Sequence, residues 1–232
     1  VDSRSEVHVA RGSKPVILGR KKPRQARSTQ LVDDIVEAAL RVLMREGGAR
    51  FTTVRVAAEA GVSVGSLYQY FPNKAALLFR LQADEWEETW GGVEAIFTDT
   101  TRPPRERLER AVVAFFRSER QEAALRAALE EAGAPFRETP EAHAIGVRTK
   151  KTLGVFVAEA IPDVAPEART LAADVILMAM GSVAETITTR GYPRAELDVW
   201  ARASAEMYWS YLAALDAAAR LAALDAAPRK RR

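Results

Sequence analysis

TTVRVAAEAGVSVGSLYQYFPNKAALL, residues Thr52 to Leu78, decides how the rest of the chain is read. A single glycine at position 61 interrupts an otherwise helical pattern, and three aromatic side chains, Tyr68, Tyr70 and Phe71, fall within four positions before Pro72. With Thr53 starting a short helix and Gly61 as the turn, Val56, Ala60, Val62, Leu67 and Tyr70 all point into one small core shared by two crossing helices. Ala57 falls where the two backbones come closest, so only a small side chain fits, and only glycine readily takes the left-handed turn at position 61. Ser63 then caps a second helix and leaves Val64, Gly65, Ser66 and Tyr68 or Gln69 exposed on its N-terminal half. The pattern is that of a helix-turn-helix whose second helix is shaped to enter a major groove.

Outward from this stretch the spacing stays helical. Val32, Ile35, Val36, Ala39, Leu40 and Leu43 follow the spacing of one buried face, and Gly47-Gly48 closes that helix. Thr52 or Thr53 caps the next. Further helices are predicted at about 73–98, 103–118, 119–132, 139–160, 166–190 and 194–225, with breaks at Pro103-Pro104, Gly133 to Pro135, Pro162 to Pro166 and Gly191 to Pro193. No β alternation or internal repeat occurs, and the Ala-rich stretch from Ala213 to Ala227 is good helix former. The expected fold is all-α: an N-terminal three-helix domain with the helix-turn-helix, then a larger helical domain. The expected divisions are a flexible basic arm over 1–27, the DNA-binding domain over 28–78, a ligand-binding and dimerisation domain over 79–227 and a basic tail over 228–232.

Composition removes several functions. The 232 residues contain no cysteine and two histidines, His8 and His143, which excludes thiolate zinc sites and cysteine nucleophiles and leaves little for metal or triad chemistry. The apolar stretch from Leu171 to Ala184 contains Asp174 and is shorter than the ~20 residues that span a bilayer. A polar, basic N-terminus without an apolar segment points to a cytoplasmic protein. No spacing supplies a nucleophile with a base, so no enzyme, cofactor or metal is expected. The run DEWEETW, Asp84 to Trp90, reads as a solvated acidic face around buried tryptophans rather than a metal site. The net charge of +3 is unevenly spread: residues 1–27 hold eight Lys/Arg against two acids and 229–232 four more basics, while the remainder has 22 basics against 29 acids. Within GRKKPRQARS, Gly19 to Ser28, Lys21, Lys22 and Arg24 suit a phosphate backbone, though a solubilising tail has the same composition.

The AGVS, LYQYF and NK elements, with the surrounding pattern from about Val32 to Leu81, resemble the DNA-binding signature of the tetracycline-repressor (TetR) family of transcriptional regulators. Beyond it the chain is similar to the family in length and helical pattern alone. The resemblance implies an all-helical homodimer that binds a palindromic operator and is released when the C-terminal domain takes a small molecule. It also implies that Tyr68 directs its hydroxyl toward a phosphate.

Other assignments come from the residues themselves. Asn73 caps the helix after Pro72, and Lys74 beside the free N–H groups forms a phosphate clamp; Thr52 and Thr53 suit the same role, with ordinary capping as the alternative. Gln69 matches an adenine edge, with a water-mediated or phosphate contact as the alternative; Ser66 donates or accepts, Val64 touches at most a thymine methyl, and Gly65 lets the backbone approach the duplex. Many family members carry a basic residue where Val64 stands, so guanine readout there is not expected. Arg55 is either a DNA contact or an ion-pair partner of Glu59. Trp86, Trp90, Phe97, Phe115, Phe116, Phe136, His143, Phe156, Met178 and Met180 supply candidate pocket walls or plain core. Leu171, Val175, Met178, Ser182 and Thr186, with Trp200, Ser204, Met207, Tyr208 and Tyr211, form two stripes for a four-helix dimer bundle or for the protomer's own core. The rival reading is a sequence-nonspecific DNA-coating protein that uses the basic ends.

Overall fold

The structure is a computed structural model that describes residues 26–133 and 140–226. Among these residues the chain forms eight helices and no strand: α1 (Ala26–Glu46), α2 (Thr53–Glu59), α3 (Val64–Tyr70), α4 (Lys74–Thr98), α5 (Pro104–Glu131), α6 (Pro140–Ala160), α7 (Pro166–Thr189) and α8 (Arg194–Ala226). They belong to two compact units divided between Leu81 and Gln82, within α4. Residues 1–25 of the basic arm, with Lys21, Lys22 and Arg24, the basic tail and Phe136 lie outside the described residues, and α1 begins at Ala26, inside the expected arm.

In the first unit, Val32, Ile35, Ala38, Ala39, Val42 and Leu43 of α1 are buried with Phe51, Val56, Leu67, Phe71, Leu77 and Leu78. The buried stripe of α1 is rotated slightly from the expected one, since Leu40 is exposed and Ala38 and Val42 are buried in its place. Gly61 has φ of 67°, the left-handed conformation expected of the turn between α2 and α3. Ala57, Val56, Leu67 and Tyr70 are buried as anticipated, whereas Ala60 and Val62 are only half-buried at the turn.

The second unit packs α5 against α8, with α6 and α7 completing a core of Val93, Phe97, Leu108, Phe116, Phe156, Ile176 and Tyr208 among others. Residues 104–131 form one helix, not the two expected on either side of residue 118. No glycine or proline interrupts it there, and Leu108, Ala111, Val112, Phe115, Phe116 and Glu119 continue a single buried face through the supposed break. Arg107 is the largest fully buried side chain: it donates to the Phe97 carbonyl at 2.7 Å, pairs with Glu159 and lies 5.5 Å from the Phe156 ring centre.

At 24 residues, α7 is long and apolar enough to cross a membrane by length and composition. This corrects the expectation drawn from Leu171–Ala184 alone, because the helix extends past that stretch at both ends. Its apolar character serves two faces: Ala172, Ala173, Ile176, Met180, Ala184 and Ile187 are buried in the core, while Leu171, Val175 and Met178 face outward. Asp174 takes an ion pair from Lys150 at 2.8 Å.

Candidate nucleic-acid interface and effector cavity

Helices α2, α3 and α4 begin at caps that arise locally from sequence. Thr52 Oγ1 accepts from the Arg55 N–H at 3.3 Å, Ser63 Oγ from the Ser66 N–H at 3.0 Å, and Asn73 Oδ1 from the Ala76 N–H at 2.9 Å. Ser66 adds a 2.8 Å hydrogen bond between its own hydroxyl and that of Ser63. On α3, Leu67 and Tyr70 turn inward, and Gly65, Tyr68 and Gln69 are exposed, with Val64 and Ser66 half-buried. Of the expected reading residues, Gly65, Tyr68 and Gln69 therefore face solvent, while Val64 and Ser66 do so only in part.

Two expected phosphate contacts have other commitments. Thr53 is buried, and its hydroxyl shares a 3.0 Å hydrogen bond with that of Tyr68, so it braces α2 against α3 while Thr52 alone caps the helix. Lys74 donates to the Gly48 carbonyl at 3.2 Å and lies 5.8 Å from the Phe51 ring centre, which ties α4 to the loop after α1 and leaves further N–H donors on the ammonium. Arg55 is ion-paired, but with Glu46 rather than Glu59; Glu59 is taken by Arg41 at 3.1 Å and Arg45 at 2.9 Å, from the facing helix.

In the second unit a cavity of about 10 Å³ opens between α4, α6 and α7, lined by Trp90, Val93, Glu94, Phe97, Arg148, Thr149, Thr152, Leu153, Leu177 and Met180. Of the expected pocket residues, Trp90 and Phe97 line it, as does Met180. Phe115 stands behind Trp90 with ring centres 5.2 Å apart, and Phe156 behind Phe97 at 4.8 Å. Phe116 is core, Trp86 is half-buried without lining the cavity, and His143 is exposed. Met178 is 72 % exposed and does not line it, because the helical turn gives the inward positions to its neighbours Leu177 and Met180. Sequence reasoning missed Arg148, Thr149 and Thr152, which in an amphipathic helix look like solvated positions; their only signal was the one-turn spacing to Leu153 and Phe156.

Of the acids of DEWEETW, Asp84, Glu87 and Glu88 are exposed as expected of a solvated face, with Trp86 and Trp90 half-buried, and only Glu85 departs from it. Glu85 is buried and accepts from Arg126 at 2.6 Å and from Gln82 at 2.7 Å, while Glu87 accepts from Arg148 at 3.0 Å. Glu119 and Glu122 of α5 also pair with Arg126, and Thr89 donates to Glu122 at 2.6 Å. Burial, followed by the hydrogen bond with the Glu85 carboxyl, pushes Glu122 up to about 8, and burial also raises Glu119. Among the described residues no group of three acids or histidines is arranged for a metal ion.

The outward stripe of α7 and α8 comprises Leu171, Val175, Met178, Ser182, Trp200 and Met207, with Tyr211 half-buried beside it. Ser204 and Tyr208 do not belong to it: both are buried in the protomer's own core, one helical face away from Trp200 and Met207, and burial pushes the Tyr208 phenol up to about 12.

Comparison with known proteins bears on both units. Residues 35–81 match the family described as bacterial regulatory proteins of the tetR family, and residues 103–215 match the tetracyclin repressor-like C-terminal domain. The chain belongs to the TetR family. A 60-residue segment is 42% identical to the HTH-type transcriptional repressor DrrR1 of Streptomyces coeruleorubidus, covering 26% of this chain and 22% of that protein, so the likeness spans about a fifth of the relative's length. A tetR-family regulator from Streptomyces coelicolor shares the fold with a TM-score of 0.60 at 20% identity, covering 87% of this chain and 91% of that one. FadR of Bacillus subtilis, solved with stearoyl-CoA, gives 0.58 at 18% identity over 77% of this chain and 98% of its own.

Proposed function

We propose that this TetR-family regulator is a cytoplasmic, ligand-responsive repressor that reads a palindromic operator as a homodimer and acts by binding rather than by catalysis. The observation that carries the reading is the solvent-facing edge of α3, where Gly65, Tyr68 and Gln69 stand together on a capped helix seven residues long. Gln69 meets a base edge, and Tyr68, Thr52 and Lys74 contact phosphates. The outward stripes of α7 and α8 join two copies, which sets the reading helices about 34–36 Å apart, or a multiple of that, on one face of the duplex. The fold shared with a regulator solved with stearoyl-CoA supports a small-molecule effector here too. An effector beside Trp90 and Phe97 shifts α4, the helix that begins at Lys74, and so alters operator affinity; by reciprocity it binds the free protein more tightly than the DNA-bound protein by the same factor.

Fluorescence anisotropy on a duplex from the DNA adjoining the gene, against a scrambled duplex at several salt concentrations, tests the proposal. A specificity ratio that persists as salt rises is the expected outcome. Equal affinities that fall together with salt would indicate a DNA-coating protein instead.

A further inference from the structure

The cavity between α4, α6 and α7 carries chemical information about what enters it, given the reading of the second unit as an effector-binding body. Most of its lining is apolar: Trp90, Val93, Phe97, Leu153, Leu177 and Met180. Among the polar lining groups Glu94, Arg148 and Thr152 are paired with one another, whereas Thr149 is 8 % exposed and its Oγ1 has no hydrogen-bond partner. Buried hydroxyls are normally paired, and a water held among mainly apolar side chains lacks the two to four partners it needs. At about 10 Å³ the space holds about one water and must widen for an organic molecule.

The rim explains how it widens and what it admits. Arg148 of α6 bridges to Glu87 at 3.0 Å and to Glu94 at 3.4 Å on α4, and Thr152 donates to Glu94 at 2.9 Å. These charges are partly exposed, so the bridges are weak and part readily. The lining's own charges, Glu94 and Arg148, offset each other, and Glu87, the second partner of Arg148, adds one further negative charge nearby; among the described residues no cation besides Arg148 lines the slot. We infer that this slot is the effector's seat, closed by the Arg148 bridges, and that it takes an uncharged, largely apolar small molecule whose one hydrogen-bonding group meets Thr149. An anionic head group is repelled at the rim, and a charge of either sign is unpaired inside.

The test uses the full chain without DNA and 11-bromoundecan-1-ol, whose bromine quenches a neighbouring tryptophan. Saturable quenching is expected, and Trp90→Phe abolishes it. Thr149→Val weakens binding about five- to tenfold, the worth of one hydrogen bond, and Thr149→Ser restores it. The anion 11-bromoundecanoate binds at least about tenfold more weakly, and Glu94→Gln narrows that gap. Absence of saturable quenching, quenching that survives Trp90→Phe, an unaffected Thr149→Val, or a carboxylate as tight as the alcohol each overturns the inference. Operator affinity measured with the same alcohol is a separate readout: bound alcohol with unchanged DNA affinity leaves this site standing and removes the release mechanism.

Discussion

Gly65 occupies the second position of α3 with room around it: a Cβ there meets only Ser63 Oγ, at an ordinary 3.8 Å. The fold does not need this glycine, and alanine is the better helix former by up to about 1 kcal/mol. Gly65→Ala is therefore expected to melt at or above the wild-type temperature and yet bind operator more weakly, because the methyl group occupies space that the duplex needs. Unchanged operator affinity would show that the backbone does not approach DNA there. Gln69 and Lys74 separate in the same assay. Gln69→Ala relaxes preference at one base position per half-site at about 1–3 kcal/mol, whereas Lys74→Ala weakens all sequences alike. Because Lys74 also holds the Gly48 carbonyl, its removal costs roughly 1 kcal/mol of stability as well, which Gln69→Ala does not. A uniform loss for Gln69→Ala would move that residue from base readout to backbone positioning. The caps at Thr52, Ser63 and Asn73 were legible in the sequence because each reaches only three residues along the chain. The Thr53–Tyr68 bond was not, since it joins residues fifteen apart that only the turn at Gly61 brings together.

Among elements, the pairing of α4 with α5 makes stability depend on pH. Glu85, Glu119 and Glu122 crowd around Arg126, with Gln82 and Thr89 completing the network and Glu185 of α7 adding to the negative field at Glu119. Glu122 is raised in the folded state to about 8 from 4.5, so the fold favours its protonated form. Its contribution is fully present below pH about 4.5 and is lost as pH rises through about 8, with a slope of at most about 1.4 kcal/mol per pH unit. Denaturation midpoints are expected to fall across that window, and Glu122→Gln should flatten the decline. A wild-type midpoint that rises over the same range contradicts this. Helix number and order were largely readable because proline and glycine punctuate the chain, and the one false break, at residue 118, had neither residue to cause it. The cavity walls were less readable. Bulk alone marked Phe116 and Met178 as wall candidates, yet which side of a helix faces a cavity depends on packing against helices far away in sequence, as Leu177 and Met180 show on either side of Met178.

For the whole molecule, the proposed dimer sets the exposed apolar side chains of α7 and α8 against those of a second copy. Met178→Glu places a charge in the middle of the α7 stripe without touching the core, and sedimentation should show the dimer dissociation constant raised more than tenfold, or about 1.4 kcal/mol. Tyr208→Phe, on the core-facing side of α8, should leave the dimer intact. If Met178→Glu sediments as the wild type does, the interface lies elsewhere. The central claim, a symmetric dimer that reads sequence through α3, is tested most directly by sequencing the duplexes that the protein retains from a randomised pool. The account predicts one enriched palindrome whose half-sites are centred about 10–10.5 base pairs apart or a multiple of that, with Gln69→Ala loosening one position in each half. A retained pool with no enriched motif, held only in proportion to low salt, would contradict it.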